Sequence, residues 1–292
     1  MKKRILTTIA LIFLFLGGLS VLLYPSLSNY VNSLSRSRII EEYSVALAQL
    51  SLVDYGDILE RARAYNRELI ANDTRFMMSD EELEVYRNIL DFSGTGVIGT
   101  LKIDAIKVNL PIYLGTEEDT LQVGIGHIEG SSIPIGGRGT HSAISGHRGL
   151  PSSTLLTDAD KLAEGDVFVL NILNETLYYE IDQRIIVLPE NLDYLGIDPN
   201  ADYCTLVTCT PYGINSHRLL IRGRRVFPEE GQTEFVSVRT FRADARPANI
   251  LVQYAVAAVP VLLIASVFML IKNSGLLKGP KGRNRYDREY RN

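Results

Sequence analysis

Cysteine, histidine and excess basic charge are scarce in this sequence. Its 292 residues include two cysteines and four histidines, and the formal net charge is −4. A mildly acidic chain with no basic stripe between its apolar segments has no electrostatic basis for binding nucleic acid, so we expect no nucleic-acid partner. Two cysteines allow at most one disulfide.

The two cysteines, Cys204 and Cys209, are too far apart to pair with each other. Both lie in a predicted strand, where five residues span about 16 Å, whereas a disulfide requires Cα atoms within about 7 Å. The odd spacing also directs the two side chains to opposite faces of the strand. We therefore expect two free thiols, with Cys204 as a small buried apolar side chain and Cys209 as a reactive one.

Motifs for nucleotides and metal ions are also missing. The glycine-rich segment 133–139 lacks the strand–loop–helix order and the terminal lysine of a phosphate-binding loop. His127, His141 and His147 have no carboxylate or thiol at a recognisable ligand spacing. We expect neither a metal ion nor a cofactor, and we predict structural or surface roles for His127 and His141.

Two long apolar runs frame the chain. Residues 5–24 follow a basic start and are long enough to cross a bilayer, which predicts a signal-anchor segment over 1–32. A cleaved signal peptide is the alternative, although no small-x-small site follows convincingly. The second run predicts a transmembrane helix over 249–272, and the basic tail 273–292 after it is expected in the cytoplasm. The part between the runs is then expected on the extracellular face of the cell membrane.

Helical periodicity dominates residues 33–93. One apolar stripe is formed by residues spaced four, three and four apart: Ile58, Ala62, Tyr65 and Leu69. Gly56 predicts a break between two helical pieces. A further helix is expected to begin at Ser79, because Glu82 three residues later completes a capping box.

A run of short predicted strands fills residues 94–227. The strands are expected at 97–103, 106–114, 140–145, 167–173, 177–181, 185–188, 204–209 and from about 217. A short helix is predicted at 154–162, and the polar segment 228–248 is a linker. About eight strands with few helices predict a mainly β fold, a closed β-barrel preceded by helices and flanked by two transmembrane helices.

Three residues with complementary chemistry fall at the ends of these strands. Cys209 ends a predicted strand, Arg218 lies on the strand that follows, and His147 comes just after strand 140–145. Nucleophilic thiol catalysis needs this set: a thiolate, a proton shuttle and a cation for developing negative charge. Thr208, beside Cys209, is a candidate for orienting substrate or loop, although strand propensity explains a threonine there equally well.

The motifs that contain these residues resemble the sortases, membrane-anchored cysteine transpeptidases of Gram-positive bacteria. The runs 146–152 (Gly-His-Arg-Gly-Leu-Pro-Ser) and 208–215 (Thr-Cys-Thr-Pro-Tyr-Gly-Ile-Asn) are similar to the class C, pilus-assembling branch. The resemblance covers about 94–226 and implies a sortase-type barrel with Cys209, His147 and Arg218 as catalytic residues. It also implies cleavage of an LPxTG-like sorting signal between Thr and Gly, and transfer to a lysine amine of the next pilin subunit.

One expected class C feature is altered in this chain. Class C sortases often carry an Asp-Pro-aromatic lid over the site, whereas residues 73–76 here read Asp-Thr-Arg-Phe. Asp73 and Phe76 are therefore candidate remnants of a lid, and ordinary loop residues are the alternative. The missing proline leaves the loop less pre-shaped.

Other functions stay open at this point. A cell-wall-anchoring sortase would use an amine of a peptidoglycan precursor in place of a pilin lysine. A secreted cysteine hydrolase would need only water, although a papain-like enzyme is disfavoured because His147 precedes Cys209 and no Cys-Gly-x-Cys-Trp signature occurs. A membrane-tethered pilin-binding module would need no chemistry at all.

Overall fold

The computed structural model describes residues 2–228. The predicted second transmembrane helix, the basic tail and nearly all of the predicted linker lie outside the described residues. Among those described, residues 2–26 belong to one compact unit and residues 27–228 to another.

Four α-helices lie within the described residues: α1 Lys2–Gln49, α2 Leu52–Leu69, α3 Asp80–Arg87 and α4 Glu118–Val123. In the part of the chain that the structure describes, α1 is the one helix long and apolar enough to cross a membrane, and its most apolar window has a mean hydropathy of 2.5. The predicted break between two helical pieces is present, but it lies at Leu50 and Ser51 and not at Gly56. The hydroxyl of Ser51 caps α2 by accepting from Asp54 N at 3.2 Å. The capping box of Ser79 and Glu82 at the start of α3 is confirmed.

Eight strands form a closed barrel, as predicted. Their order around the barrel is β1-β2-β3-β4-β7-β8-β6-β5. Their bounds are β1 Val97–Ile103, β2 Val108–Leu114, β3 Ile125–His127, β4 Thr140–Ser145, β5 Val167–Ile172, β6 Glu175–Val187, β7 Asp202–Thr210 and β8 His217–Val226. The two strands predicted at 177–181 and 185–188 are one strand, β6, with an irregularity in its pairing to β8 between Ile181 and Gln183. The helix predicted at 154–162 is wrong except for one 3-10 turn at Ala159–Lys161.

The barrel interior and one face of α2 form a single core. Alternate residues of β7 and β8, among them Cys204, Leu206 and Ile221, point into it. Ile58 and Ala62 of α2 are buried against the same cluster, which confirms the apolar stripe predicted for this helix. Cys204 is fully buried and unpaired, as expected.

Parallel pairing of β4 and β7 decides where the ends of these strands lie. Most neighbouring strands in the barrel are antiparallel, but β4 and β7 run side by side from Thr140↔Asp202 to Ser145↔Val207. The carboxyl ends of both strands therefore meet at one edge of the barrel. β8 begins at the same edge, because its Arg218 lies opposite Cys209.

Candidate active site

Cys209 lies near the end of β7 on the outer face of the barrel. The inward positions of β7 are Cys204 and Leu206, so the alternation along the strand directs Cys209 outward together with Val207. Its thiol is free and partly exposed. Arg218 lies directly opposite on β8 and therefore shares this face.

His147 is brought level with Cys209 by the parallel register of β4 and β7. Past the last pair of the ladder, Gly146 N still donates to Val207 O at 3.1 Å. The hydroxyl of Thr208 donates to Gly146 O at 2.8 Å, so both backbone groups of Gly146 are bonded to β7. Extending the register by two residues past Ser145↔Val207 places His147 level with Cys209 at this edge of the barrel.

Thr208 has an inward side chain that is only 2% exposed. It points to the barrel face opposite the Cys209 thiol, and its hydroxyl is bonded to the residue before His147. Of the two roles considered for Thr208, orienting the His147 loop fits this geometry and direct contact with substrate does not.

Arg218 holds its own loop in place. Its Nη1 donates to the carbonyl oxygens of Asn215 and His217, both at 3.2 Å. Asn215 lies in the β7–β8 connection, where it adopts a left-handed φ of 61°, and His217 is the first residue of β8. A guanidinium has five N–H donors, so bonds from Nη1 leave further donors on the side chain for a substrate carbonyl or an oxyanion.

Comparisons with known proteins identify the family of this chain. The family described as "Sortase domain" matches residues 101–226. The crystal structure of sortase C1 from Streptococcus agalactiae has 47% sequence identity and a TM-score of 0.64, and covers 66% of this chain and 100% of that chain.

The chain belongs to the sortase family.

Two further relatives bear on the branch. Sortase C of Streptococcus pneumoniae has 39% identity and a TM-score of 0.59, and covers 65% of this chain and 97% of that chain. Sortase D of Bacillus subtilis is 30% identical over 131 residues, which are 44% of this chain and 63% of that relative. The chain thus spans less than two thirds of this curated sortase. The two structural neighbours, both sortase C proteins, support the class C assignment.

A carboxylate that sequence reasoning missed lies next to the histidine of this sortase. Glu118, in the first turn of α4, has its Oε1 3.7 Å from His147 Nε2. That nitrogen is buried and has no hydrogen-bond partner within the described residues. The Glu118 side chain is 72% exposed, so solvent weakens its attraction for an imidazolium. No sequence spacing links residues 118 and 147, because the contact depends on where α4 docks.

Arg148 is a second residue whose role the sequence did not reveal. Its side chain is only 8% exposed and pairs with Asp160 at 2.7 Å. Arg148 Nε donates to Thr157 O at 3.2 Å, and Nη1 donates to Thr210 Oγ1 at 3.4 Å. The residue after His147 therefore connects its own loop to the end of the strand that carries Cys209.

Two other histidines are structural, as predicted. His127 contacts the Tyr86 hydroxyl through Nδ1 at 2.8 Å and Ser132 O through Nε2 at 2.8 Å. His141 contacts Gly196 O and the hydroxyl of Thr205. Burial lowers the pKa of both imidazoles to about 4. Within residues 2–228, no cluster of His, Cys, Asp and Glu could hold a metal ion.

The loop with the candidate lid residues is held by its arginine. Arg75 Nη2 donates to Leu195 O at 2.8 Å, and its guanidinium lies 4.7 Å from the centre of the Phe76 ring. The backbone of Arg75 and Phe76 packs on Gly130, where an added Cβ would lie 2.2 Å from Arg75 O. Phe76 is half-buried and Asp73 is exposed.

Proposed function

We propose that this sortase is a pilus-assembling cysteine transpeptidase. It would cleave an LPxTG-like sorting signal between Thr and Gly and transfer the acyl group to a lysine amine on the next pilin subunit. The observation that carries the proposal is the register of β4, β7 and β8, which brings His147, Cys209 and Arg218 to one edge of the barrel. The structure of the similar sortase C from Streptococcus pneumoniae gives insight into pilin substrate specificity, which supports the pilin assignment.

In the first half-reaction, the Cys209 thiolate attacks the carbonyl carbon of the signal threonine. A carbon–sulfur bond forms as the carbonyl becomes a tetrahedral oxyanion. The carbon–nitrogen bond to glycine then breaks, and His147 as imidazolium donates its proton to the departing amine. The product is a thioester on Cys209 and a free glycine amine.

In the second half-reaction, the pilin lysine amine attacks the thioester carbonyl. His147, now neutral, accepts the proton that this amine loses. The carbon–sulfur bond breaks, an isopeptide bond remains, and the enzyme again has a thiolate and an imidazolium. No cofactor or metal ion is needed to balance either step.

Arg218 and the apolar residues near it would bind the signal. Free N–H donors of Arg218, opposite the thiol, would stabilise the oxyanion or hold a substrate carbonyl. Below Cys209 and Arg218 on the same outer face lies an apolar cluster of Val187, Val207 and Leu220, with Ile128 and Ile185 packed against it. Its partly exposed members, Ile128 and Ile185, would contact the apolar residues of an LPxTG-like signal.

We further propose that α1 anchors the protein in the cell membrane with the barrel on the extracellular face. The length and composition of α1 support an anchor. The basic residues at the start of the chain favour a cytoplasmic N-terminus. An extracellular barrel is where pilin subunits and peptidoglycan precursors would be met.

The test uses the full chain in detergent, mixed with a pilin subunit that ends in an LPxTG-like signal. Mass spectrometry should detect a thioester on Cys209 and isopeptide-linked pilins, and Cys209→Ala should give neither. Arg218→Ala should fold and form the thioester much more slowly. A thioester resolved only by a peptidoglycan amine or by water would replace the pilus assignment with wall anchoring or hydrolysis. No thioester with any of several sorting signals would refute the enzyme proposal.

A further inference from the structure

One face of α1 is hydrogen-bonded to the loop that follows His147. Asn29 Oδ1 accepts from both the backbone N and the hydroxyl of Thr154, at 2.9 and 3.0 Å. Asn32 Nδ2 donates to Ser152 O at 2.9 Å. The third side chain of α1 that contacts this loop is that of Arg36. Its Nη1 donates to Ser153 Oγ at 2.7 Å.

The spacing of these contacts fits a single helix face. Asn29, Asn32 and Arg36 are three and four residues apart, so they project from one side of α1. They engage three successive residues of the loop. Arg36 is 8% exposed and Ser153 is 2% exposed, so this part of the contact is buried.

The loop itself is closed at its base, next to His147. Leu156 N donates to His147 O at 3.2 Å, and Gly149 N donates to the Thr157 hydroxyl at 3.2 Å. The Leu156 side chain also packs against Gly146, where an added Cβ would lie 2.9 Å from Leu156 Cδ1. Residues 147–157 therefore form one loop with a tied base, and α1 holds its tip at 152–154.

We propose that Asn29, Asn32 and Arg36 are positioning residues for His147. By fixing the tip of the loop, α1 limits the positions that its base and the imidazole can adopt. A misplacement of about 1 Å can lower a rate by about 10²-fold, so a loop held at both ends favours proton transfer at Cys209. The effect on catalysis rests on the proposed transpeptidase function, whereas the effect on the loop does not.

The test compares the full chain with Asn29→Ala/Asn32→Ala in the same detergent. We expect kcat for a fluorogenic sorting-signal peptide to fall about tenfold, with KM changed less than about twofold, because the substrate surface is untouched. Hydrogen–deuterium exchange of residues 147–157 should become faster. Arg36→Ala is a secondary variant, since loss of a buried side chain can impair folding.

A matched control comes from the same stretch of α1. The hydroxyls of Ser33 and Ser37 bond only to carbonyl oxygens of the helix, Tyr30 O and Ser33 O. Ser33→Ala/Ser37→Ala therefore changes two polar side chains of the helix without touching the loop. It should leave both kcat and exchange of residues 147–157 as in the unmodified chain.

Conservative variants distinguish the loss of a hydrogen bond to the loop from a general disturbance of α1. Asn29 acts through its carbonyl oxygen as an acceptor, so Asn29→Asp keeps that role and should retain most activity. Asn32 acts as a donor to Ser152 O, so Asn32→Asp sets a carboxylate against a carbonyl and should behave like Asn32→Ala. Equal behaviour of the two aspartate variants would contradict the assignment.

The two readouts also separate this proposal from the proposed function. Unchanged hydrogen–deuterium exchange of residues 147–157 in Asn29→Ala/Asn32→Ala would show that α1 does not hold the loop, whether or not the enzyme turns over. Faster exchange with unchanged kcat would show that α1 holds the loop without positioning His147, and would overturn the catalytic part. If the unmodified chain turns over no sorting signal, the proposed function fails, and exchange alone decides whether α1 holds the loop.

Discussion

The outer face between β4 and β7 carries two histidines in similar settings, one at each end. At the first, His141 reaches the hydroxyl of Thr205 at 2.7 Å, and its other nitrogen reaches Gly196 O at 2.8 Å. At the second, the register extended by two residues past Ser145↔Val207 places His147 level with Cys209. Each end thus has a histidine from the β4 side and a small nucleophilic side chain on β7, and His141 is hydrogen-bonded to that of Thr205.

The two pairs differ in what covers them. The connector between β6 and β7 passes over His141 and supplies the carbonyl of Gly196, so the ring is 1% exposed and fully bonded. The His147 side chain is 26% exposed, and its Nε2 is buried without a hydrogen-bond partner in the described part of the chain. The buried pair supports the fold, whereas the imidazole at the barrel edge is the one to which the proposed function gives the role of proton shuttle.

The largest difference in turnover is expected between substitutions of the two cysteines. Cys209→Ala removes the nucleophile, so turnover of a sorting-signal peptide should fall below detection, while the melting temperature changes little at this partly exposed site. Cys204→Ala, five residues away on the inner face, should keep normal kcat and lose modest stability from the small cavity it leaves. Peptide turnover and thermal unfolding of both variants check this. Residual thioester chemistry in Cys209→Ala would mean that another residue is the nucleophile.

The second largest effect is expected when either of the two histidines is replaced by alanine. His147→Ala should lower kcat by about 10²- to 10⁴-fold, because the proton shuttle is lost, and leave the free energy of unfolding nearly unchanged. His141→Ala should do the reverse: stability should fall by roughly 1–3 kcal/mol, because Thr205 and Gly196 lose their partner. Urea unfolding and single-turnover kinetics on both variants separate the effects. A large kcat loss in a stably folded His141→Ala protein would contradict this division.

Acid should destabilise the protein through its buried histidines. The pKa of His127 and His141 is about 4 in the folded protein, against about 6.5 in an unfolded chain. Between these values the unfolded state binds more protons, so the stabilisation is complete above pH 6.5 and is lost as the pH falls towards 4. Each histidine should contribute a loss of roughly 2 kcal/mol between pH 7 and pH 5.

Urea unfolding at the two pH values measures this difference. In His127→Gln, which cannot be protonated, the loss should shrink by about the share of one histidine. An unchanged pH dependence in that variant would show that His127 does not sense the pH in this range.

The smallest effect is expected at Thr208. Thr208→Val keeps the shape but removes the hydroxyl that donates to Gly146 O, so the residue before His147 loses a tether. We expect stability to fall by about 1–3 kcal/mol and kcat to fall a few-fold. Thr205→Val is the matched control, because it removes the bond to His141 and should reduce stability without reducing kcat. Equal kcat losses in both would point to a general loosening of β7.

The barrel was predictable where periodicity and caps are strong. β1 and β4 agree with their predicted bounds, and Ser79 with Glu82 marked the start of α3. β3 was missed because a strand of three residues is too short to show an alternation of apolar and polar side chains. β6 was divided because the polar residues Asp182–Arg184 interrupt its apolar pattern, while the strand continues through the irregularity in its pairing with β8.

The candidate active-site residues were recognisable as motifs in the sequence, but the residues that contact their loops were not. Cys209, His147 and Arg218 carry recognisable chemistry in local sequence. The approach of Glu118 and the contacts of Asn29 and Asn32 join segments that are far apart in sequence, and they depend on how α4 and α1 dock on the barrel. Composition and periodicity hold no information about such docking.

Parallel pairing of β4 and β7 also determines which changes in chain length this fold tolerates. Gly146 and Thr208 are 62 residues apart and yet hydrogen-bonded, so segments inserted into the surface loops between the two strands would leave His147 and Cys209 at the same edge of the barrel. Deleting one residue within β4 would turn His147 towards the barrel interior, because side chains alternate along a strand. A chain with a residue inserted in a surface loop between β4 and β7 should therefore keep the Gly146–Thr208 hydrogen bond, whereas a deletion within β4 should break it.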